Sequence, residues 1–167
     1  GLVKIACVSP QVRVADCVYN AEKIVEGVNK AVKDGAKIVL FPELSITAYT
    51  CGDLFFQRTL RQSAIDGLRI VCQKTAKTDA VVVVGLPLVN NTGKLFNVAA
   101  VLFHGDILGI VPKTNLPNYN EFYEKRFFSP AIEENSFVEI DGKNVPFGTD
   151  IIFENTAHPD VRFAVEI

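Results

Sequence analysis

The chain has 167 residues, and its 17 basic against 19 acidic side chains give a formal net charge of −2. No basic block occurs, so nucleic-acid binding has little electrostatic support. Hydrophobic residues make up 49% and mean hydropathy is +0.22, yet no apolar run nears the roughly 20 residues that cross a bilayer.

The apolar surplus points to strands buried on both faces, or to surface meant for a partner. In chain order, LVKIACVS predicts a first strand. A helix follows Val14 and Ala15, with Asp16 as its cap and Val18, Ala21, Ile24, Val25, Val28, Ala31 and Val32 at helical spacing. Asp34-Gly35 ends it, glycine supplying the left-handed conformation of a helix C-terminus. AKIVLF predicts a second buried strand. A second helix is predicted from about Gln57 to Lys77, with Leu60, Ala64, Leu68 and Val71 along one face. AVVVVGLPL is a third strand, its four valines suited to a sheet interior.

Beyond it the rhythm changes to hairpins. NNTG turns into LFNVAAVLFH, and HGD turns into ILGIVPK. SFVEI, VPFG and DIIFEN are expected to pair around Asp141-Gly142. VRFAVEI, residues 161–167, alternates as a last strand. Helices alternating with strands and then meandering strands predict one α/β domain with a mixed sheet. The sequence opens on Gly1, holds no methionine and stops on that strand without turn or cap, so a longer parent is expected.

Four cysteines, Cys7, Cys17, Cys51 and Cys72, form no CxxC pair, and only His104 and His158 stand beside them. No zinc site is expected. Cys7 and Cys72, set in apolar patterns, are expected to be buried thiols of a reduced, cytoplasmic protein. No stretch reads as a signal or transit segment.

Two predicted strands deliver a charge at their carboxyl ends, where ligands of open α/β sheets collect. KIVLF leads through Pro42 to Glu43, which is either a general base in a water-poor pocket or a solvated loop carboxylate. ILGIVP leads to Lys113, an oxyanion-stabilising cation or a loop lysine. KTNLPNYNEFYEKRFF then interleaves Tyr119, Phe122, Tyr123, Phe127 and Phe128 with Glu121, Glu124, Lys125 and Arg126. That pattern suits a ligand-facing loop or a short amphipathic helix with its aromatics inward. Cys51, with no histidine near it in sequence, reads as a loop thiol rather than a nucleophile. No GxSxG, P-loop or GxGxxG is present.

FPELSITAY around Glu43 and VPKTNLP around Lys113 resemble two of the three signature segments of the nitrilase, or carbon–nitrogen hydrolase, superfamily. AYTCGDLFFQ and KTNLPNYNEFYEKRFFSP resemble more closely its glutaminase branch, the N-terminal domains of glutamine-dependent NAD synthetases. The resemblance runs from LVKIACVSP to RFAVEI. It implies a truncated α/β fold of the nitrilase-like αββα sandwich type, residues 1–167 being the N-terminal part of a glutaminase domain.

By that resemblance Glu43 is the general base and Lys113 the oxyanion donor, acting on L-glutamine. Tyr119 helps to hold the substrate, and Glu121 or Glu124, with Glu124 preferred, orients the lysine. The nucleophilic cysteine is expected directly after Ile167, so these residues alone are expected to be inactive. The parent would add a C-terminal synthetase domain using ATP and Mg, and would form a homo-oligomer. A stand-alone amidase of the ω-amidase or N-carbamoyl hydrolase type shares the same signatures, as does a non-catalytic module of the same fold.

Overall fold

Helix α1 spans Cys17–Lys33 because Ala21, Ile24, Val25, Val28 and Ala31 recur at helical spacing and all are buried. The Asp16 carboxylate accepts from the Tyr19 amide at 3.1 Å, a cap contributing about 1 kcal/mol. Gly35, at φ 85°, turns the chain out of the helix. Helix α2, Arg58–Thr75, buries Leu60, Ala64, Leu68 and Val71. The structure, a computed structural model, describes residues 2–131 and 135–167.

The described strands are β1 (Ile5–Cys7), β2 (Ile38–Leu40), β3 (Val81–Val89), β4 (Leu95–Phe103), β5 (Asp106–Pro112), β6 (Ser136–Ile140) and β7 (Lys143–Phe147), which form one sheet, and β8 (Phe153–Asn155) and β9 (His158–Phe163), which form another. The larger sheet runs β1-β2-β3-β4-β5-β7-β6. β1, β2 and β3 are parallel; β4 is antiparallel to both β3 and β5. The carboxyl ends of β2, β3 and β5 and the amino end of β4 therefore lie along one edge of the sheet.

Alternation assigns the two faces. Val39, Val82, Val84, Ala100 and Leu102 belong to the core cluster that includes the buried residues of both helices. Val83, Ala99, Val101 and Val111 face the other way, under Phe153, Phe163, Val165 and Ile167. The rings of Phe153 and Phe163 stack at 5.1 Å. Helices, large sheet and small sheet thus make three layers, each burying the apolar face of its neighbour.

Three expectations need correction. DIIFEN does not pair with VPFG: β8 pairs with β9, starting a separate sheet, while β6 and β7 form the hairpin around Asp141-Gly142. VRFAVEI is a strand only to Phe163, since residues 164–167 have no ladder partner among the described residues, although Val165 and Ile167 remain half-buried and Ala164 and Glu166 exposed. Cys7 is exposed. β1 is the edge strand, and on its face away from the helices Ile5 is 57% exposed. An apolar pattern predicts a strand but not whether both its faces are covered. Cys72 is buried as expected.

Candidate active site

Beyond β2 the chain keeps pairing for one residue, Phe41 N donating to the Val83 carbonyl at 3.0 Å, and then turns over β3. Gly85 makes this passage possible, because a Cβ there would lie 2.9 Å from the carbonyl carbon of Glu43. The loop is fastened to the same glycine: Ile46 N donates to the Gly85 carbonyl at 3.0 Å, and Gly85 N to Ser45 Oγ at 3.1 Å.

Leu44 (φ 52°) and Ala48 (φ 68°) adopt left-handed backbone conformations, a cost of about 1–3 kcal/mol each that surrounding contacts must offset. Those contacts include Leu44 and Ile46, both fully buried, and the buried Asn20 of α1. Asn20 Nδ2 donates to the carbonyls of Ile46 at 2.9 Å and Arg13 at 2.8 Å, and its Oδ1 accepts from Arg13 N.

Lys113 follows β5 directly, and its amide donates to the Asn97 carbonyl at 2.8 Å. Its ammonium lies 2.9 Å from both carboxylate oxygens of Glu43, and 3.1 Å and 3.0 Å from Glu124 Oε1 and Oε2. Only 9% of the Lys113 side chain and 5% of that of Glu124 are exposed, against 28% for Glu43. Glu43 is the member of the cluster that meets solvent. Burial by itself would push the Lys113 ammonium down, but the hydrogen bonds it gives to Glu43 and Glu124 outweigh burial and hold it above the ordinary 10.5.

Glu124 sits on a single 3-10 turn, Glu124–Arg126. Of the two readings of this stretch, a loop and a short amphipathic helix, the chain takes the loop, with Pro117 and Asn120 (φ 50°) ahead of the turn. Phe128 is buried and Phe127 partly so, while Tyr119 and Tyr123 are exposed. Tyr49 donates its hydroxyl to Glu124 Oε1 at 2.6 Å. Burial, reinforced by that bond, pushes the phenol well above its usual range, so Tyr49 stays a neutral donor. Glu121, the other carboxylate considered, is exposed.

An open cleft of about 600 Å³ is lined by Lys113, Asn115, Leu116, Asn118, Tyr119 and Lys125. Tyr119 thus shares a cleft with Lys113 while being 64% exposed. Cys51 is buried, with its thiol on the Thr47 carbonyl at 3.1 Å, and burial pushes that thiol up. His104 lies in the β4–β5 turn against Phe103, and His158 begins β9; both are exposed. Among the described residues no three histidine, cysteine or carboxylate side chains group as a metal site.

Three residues at this site escape a reading of the sequence alone: Tyr49, Gly85 and Asn97. Asn97 Nδ2 donates to Glu43 Oε1. Its one local signal is that it is the only polar residue of LFNVAAVLF.

A glutamate and a lysine brought from two strand ends to a shared, largely buried contact reproduce the two signature segments in space. Residues 4–165 match the profile of the family described as carbon-nitrogen hydrolase. The chain belongs to that family. It is 34% identical over 167 residues to the glutamine-dependent NAD(+) synthetase of Mycobacterium tuberculosis, covering all of this chain and 24% of that protein. Its fold matches the crystal structure of a glutamine-dependent NAD(+) synthetase from Cytophaga hutchinsonii with TM-score 0.87 and 25% identity, over 97% of this chain and 27% of that one. An amidase from Nesterenkonia sp. shares the fold at TM-score 0.66 and 22% identity, over 86% and 54%. The chain therefore spans about a quarter of the length of the NAD synthetases it matches. Among the described residues no helix is long and apolar enough to cross a membrane.

Proposed function

We propose that this chain is the first part of the glutaminase domain of a glutamine-dependent NAD synthetase. The observation that carries the reading is the Lys113 ammonium, clamped between Glu43 and Glu124 and opening on the Tyr119 cleft. Burying one cation with two carboxylates costs several kcal/mol in desolvation, and apolar packing would serve stability as well or better. A charge cluster retained at a strand-end cleft favours chemistry over a purely structural or non-catalytic role.

In this reading the nucleophile is a cysteine of the longer parent, following VRFAVEI. Glu43 takes the thiol proton, and the thiolate sulfur bonds to the side-chain amide carbon of glutamine held beside Tyr119. Lys113 faces the oxyanion that forms, a contact whose loss costs roughly 3 kcal/mol of barrier. Glu43 returns the proton to the amide nitrogen, the C–N bond breaks and ammonia leaves. A water deprotonated by Glu43 then hydrolyses the thioester and regenerates the thiol. Glu124, held by Tyr49, keeps the lysine charged and aimed.

Ammonia released in this way would amidate adenylylated deamido-NAD in a C-terminal synthetase domain, which would hold ATP and Mg. A homo-oligomeric, cytoplasmic enzyme belongs to the same reading. The similarity along the whole chain to NAD synthetases favours it over a stand-alone amidase, for which the likeness is one of fold. Assaying the full-length parent for NAD formation from deamido-NAD and ATP with glutamine as nitrogen donor tests it. Hydrolysis of simple amides without any synthetase activity would overturn it in favour of the amidase.

A further inference from the structure

Asn97 is fully buried near the amino end of β4, between the strands that deliver Glu43 and Lys113. It touches both groups by different atoms. Its side-chain Nδ2 donates to Glu43 Oε1, and its main-chain carbonyl accepts from Lys113 N at 2.8 Å. Its own Oδ1 is buried and takes no hydrogen bond from the described residues. The orientation of the amide is therefore decided at Glu43. Turned over, it would set its oxygen against a carboxylate oxygen, lone pair against lone pair.

We infer that Asn97 is a positioning residue that holds the Glu43 carboxylate in its reactive orientation while its main chain keeps Lys113 at a fixed place beside it. This rests on the role proposed above for Glu43. A charge-assisted hydrogen bond to one carboxylate oxygen fixes the plane in which the carboxylate lies. Since the contact with Lys113 is made by the main chain, replacing the side chain removes only the link to Glu43.

The test uses the full-length protein with Asn97→Ala and the isosteric Asn97→Asp, reading kcat and KM for glutamine hydrolysis and the rate of synthesis from free ammonia. For Asn97→Ala, kcat for glutamine falls about 10- to 100-fold, the range set by one hydrogen bond to a charged group. KM stays near its original value. A loss carried by kcat and not by KM marks a misplaced base rather than a lost substrate contact. Asn97→Asp keeps the shape but puts an acceptor where the donor to Glu43 stood, so its kcat falls at least as far as that of Asn97→Ala. Ammonia-dependent synthesis is unchanged in both. A parent that never hydrolyses glutamine overturns the functional reading itself. A parent that does, with kcat for glutamine unchanged in a folded Asn97→Asp whatever Asn97→Ala does to folding, overturns the role of Asn97.

Discussion

Gly85 of β3 lies beneath the peptide that follows Glu43, so close that a Cβ there would stand 2.9 Å from the Glu43 carbonyl carbon. The carboxylate reaches Lys113 only because the intervening strand offers no side chain at that point. Gly85→Ala is expected to lift the loop, costing about 1–3 kcal/mol of stability through overpacking. It is also expected to lower glutamine hydrolysis by 10-fold or more. Thermal denaturation and glutaminase assays of the full-length protein check both effects.

Glu43→Gln keeps the size of the side chain and removes the base. Glutamine-dependent NAD synthesis is expected to disappear while synthesis from ammonium salts continues. Loss of both activities in a folded variant would show that Glu43 is not confined to the glutaminase step.

Lys113→Met leaves Glu43 and Glu124 facing each other without a cation. Removing one partner of a buried ion pair costs about 3–5 kcal/mol, and adding Glu124→Gln should recover part of it. The lysine also gives a pH signature. Its folded value is raised above 10.5, so the native state holds this proton more tightly than the unfolded chain. Its contribution to stability is therefore complete below about pH 10.5 and is lost as pH rises through the folded value. Melting temperatures recorded up to pH 11 should fall more steeply for the wild type than for Lys113→Met over that alkaline range.

Tyr119 is 64% exposed and lines the cleft beside Lys113. Tyr119→Ala should raise KM for glutamine severalfold with little change in melting temperature, since a mostly exposed ring contributes little to the core. An unchanged KM would remove it from the substrate site.

The 167 residues by themselves are expected to release no ammonia from glutamine. Cys51 has a buried thiol on a backbone carbonyl, pushed away from the thiolate form. Turnover that vanished in Cys51→Ala would reverse the assignment of the nucleophile.

Glu43 and Lys113 each end a predicted strand, a local property with a long-range meaning in an α/β sheet, but a strand end alone fits a loop charge as well, and it is the resemblance that singles the two out. The resemblance leaves Glu121 and Glu124 open, with Glu124 preferred, and of the two it is Glu124 that is buried against Lys113 while Glu121 is exposed. Asn97 left almost no trace, since its partner Glu43 lies 54 residues away and no periodicity links them. Tyr49 sat within the recognised FPELSITAY stretch, but only the loop around Glu124 gives its hydroxyl a purpose. The fold followed the same division. Helix α1 and the valine strand were readable from spacing, whereas the exposure of Cys7 and the pairing of β8 with β9 depend on which strands become neighbours. A turn signal such as Asp141-Gly142 fixes the hairpin it joins and says nothing about the strand that comes next.

The half-buried alternation that continues past Phe163 has a consequence for whatever backbone lies alongside it. Val165 and Ile167 already rest on the Val83, Ala99, Val101 and Val111 face, and Glu166 points outward. Sliding residues 164–167 by one position would press Glu166 onto that apolar face and lift both aliphatic side chains off it. The phase of this segment is thus locked by its seat on the sheet before any neighbour pairs with it, and a neighbour must adopt the register it finds.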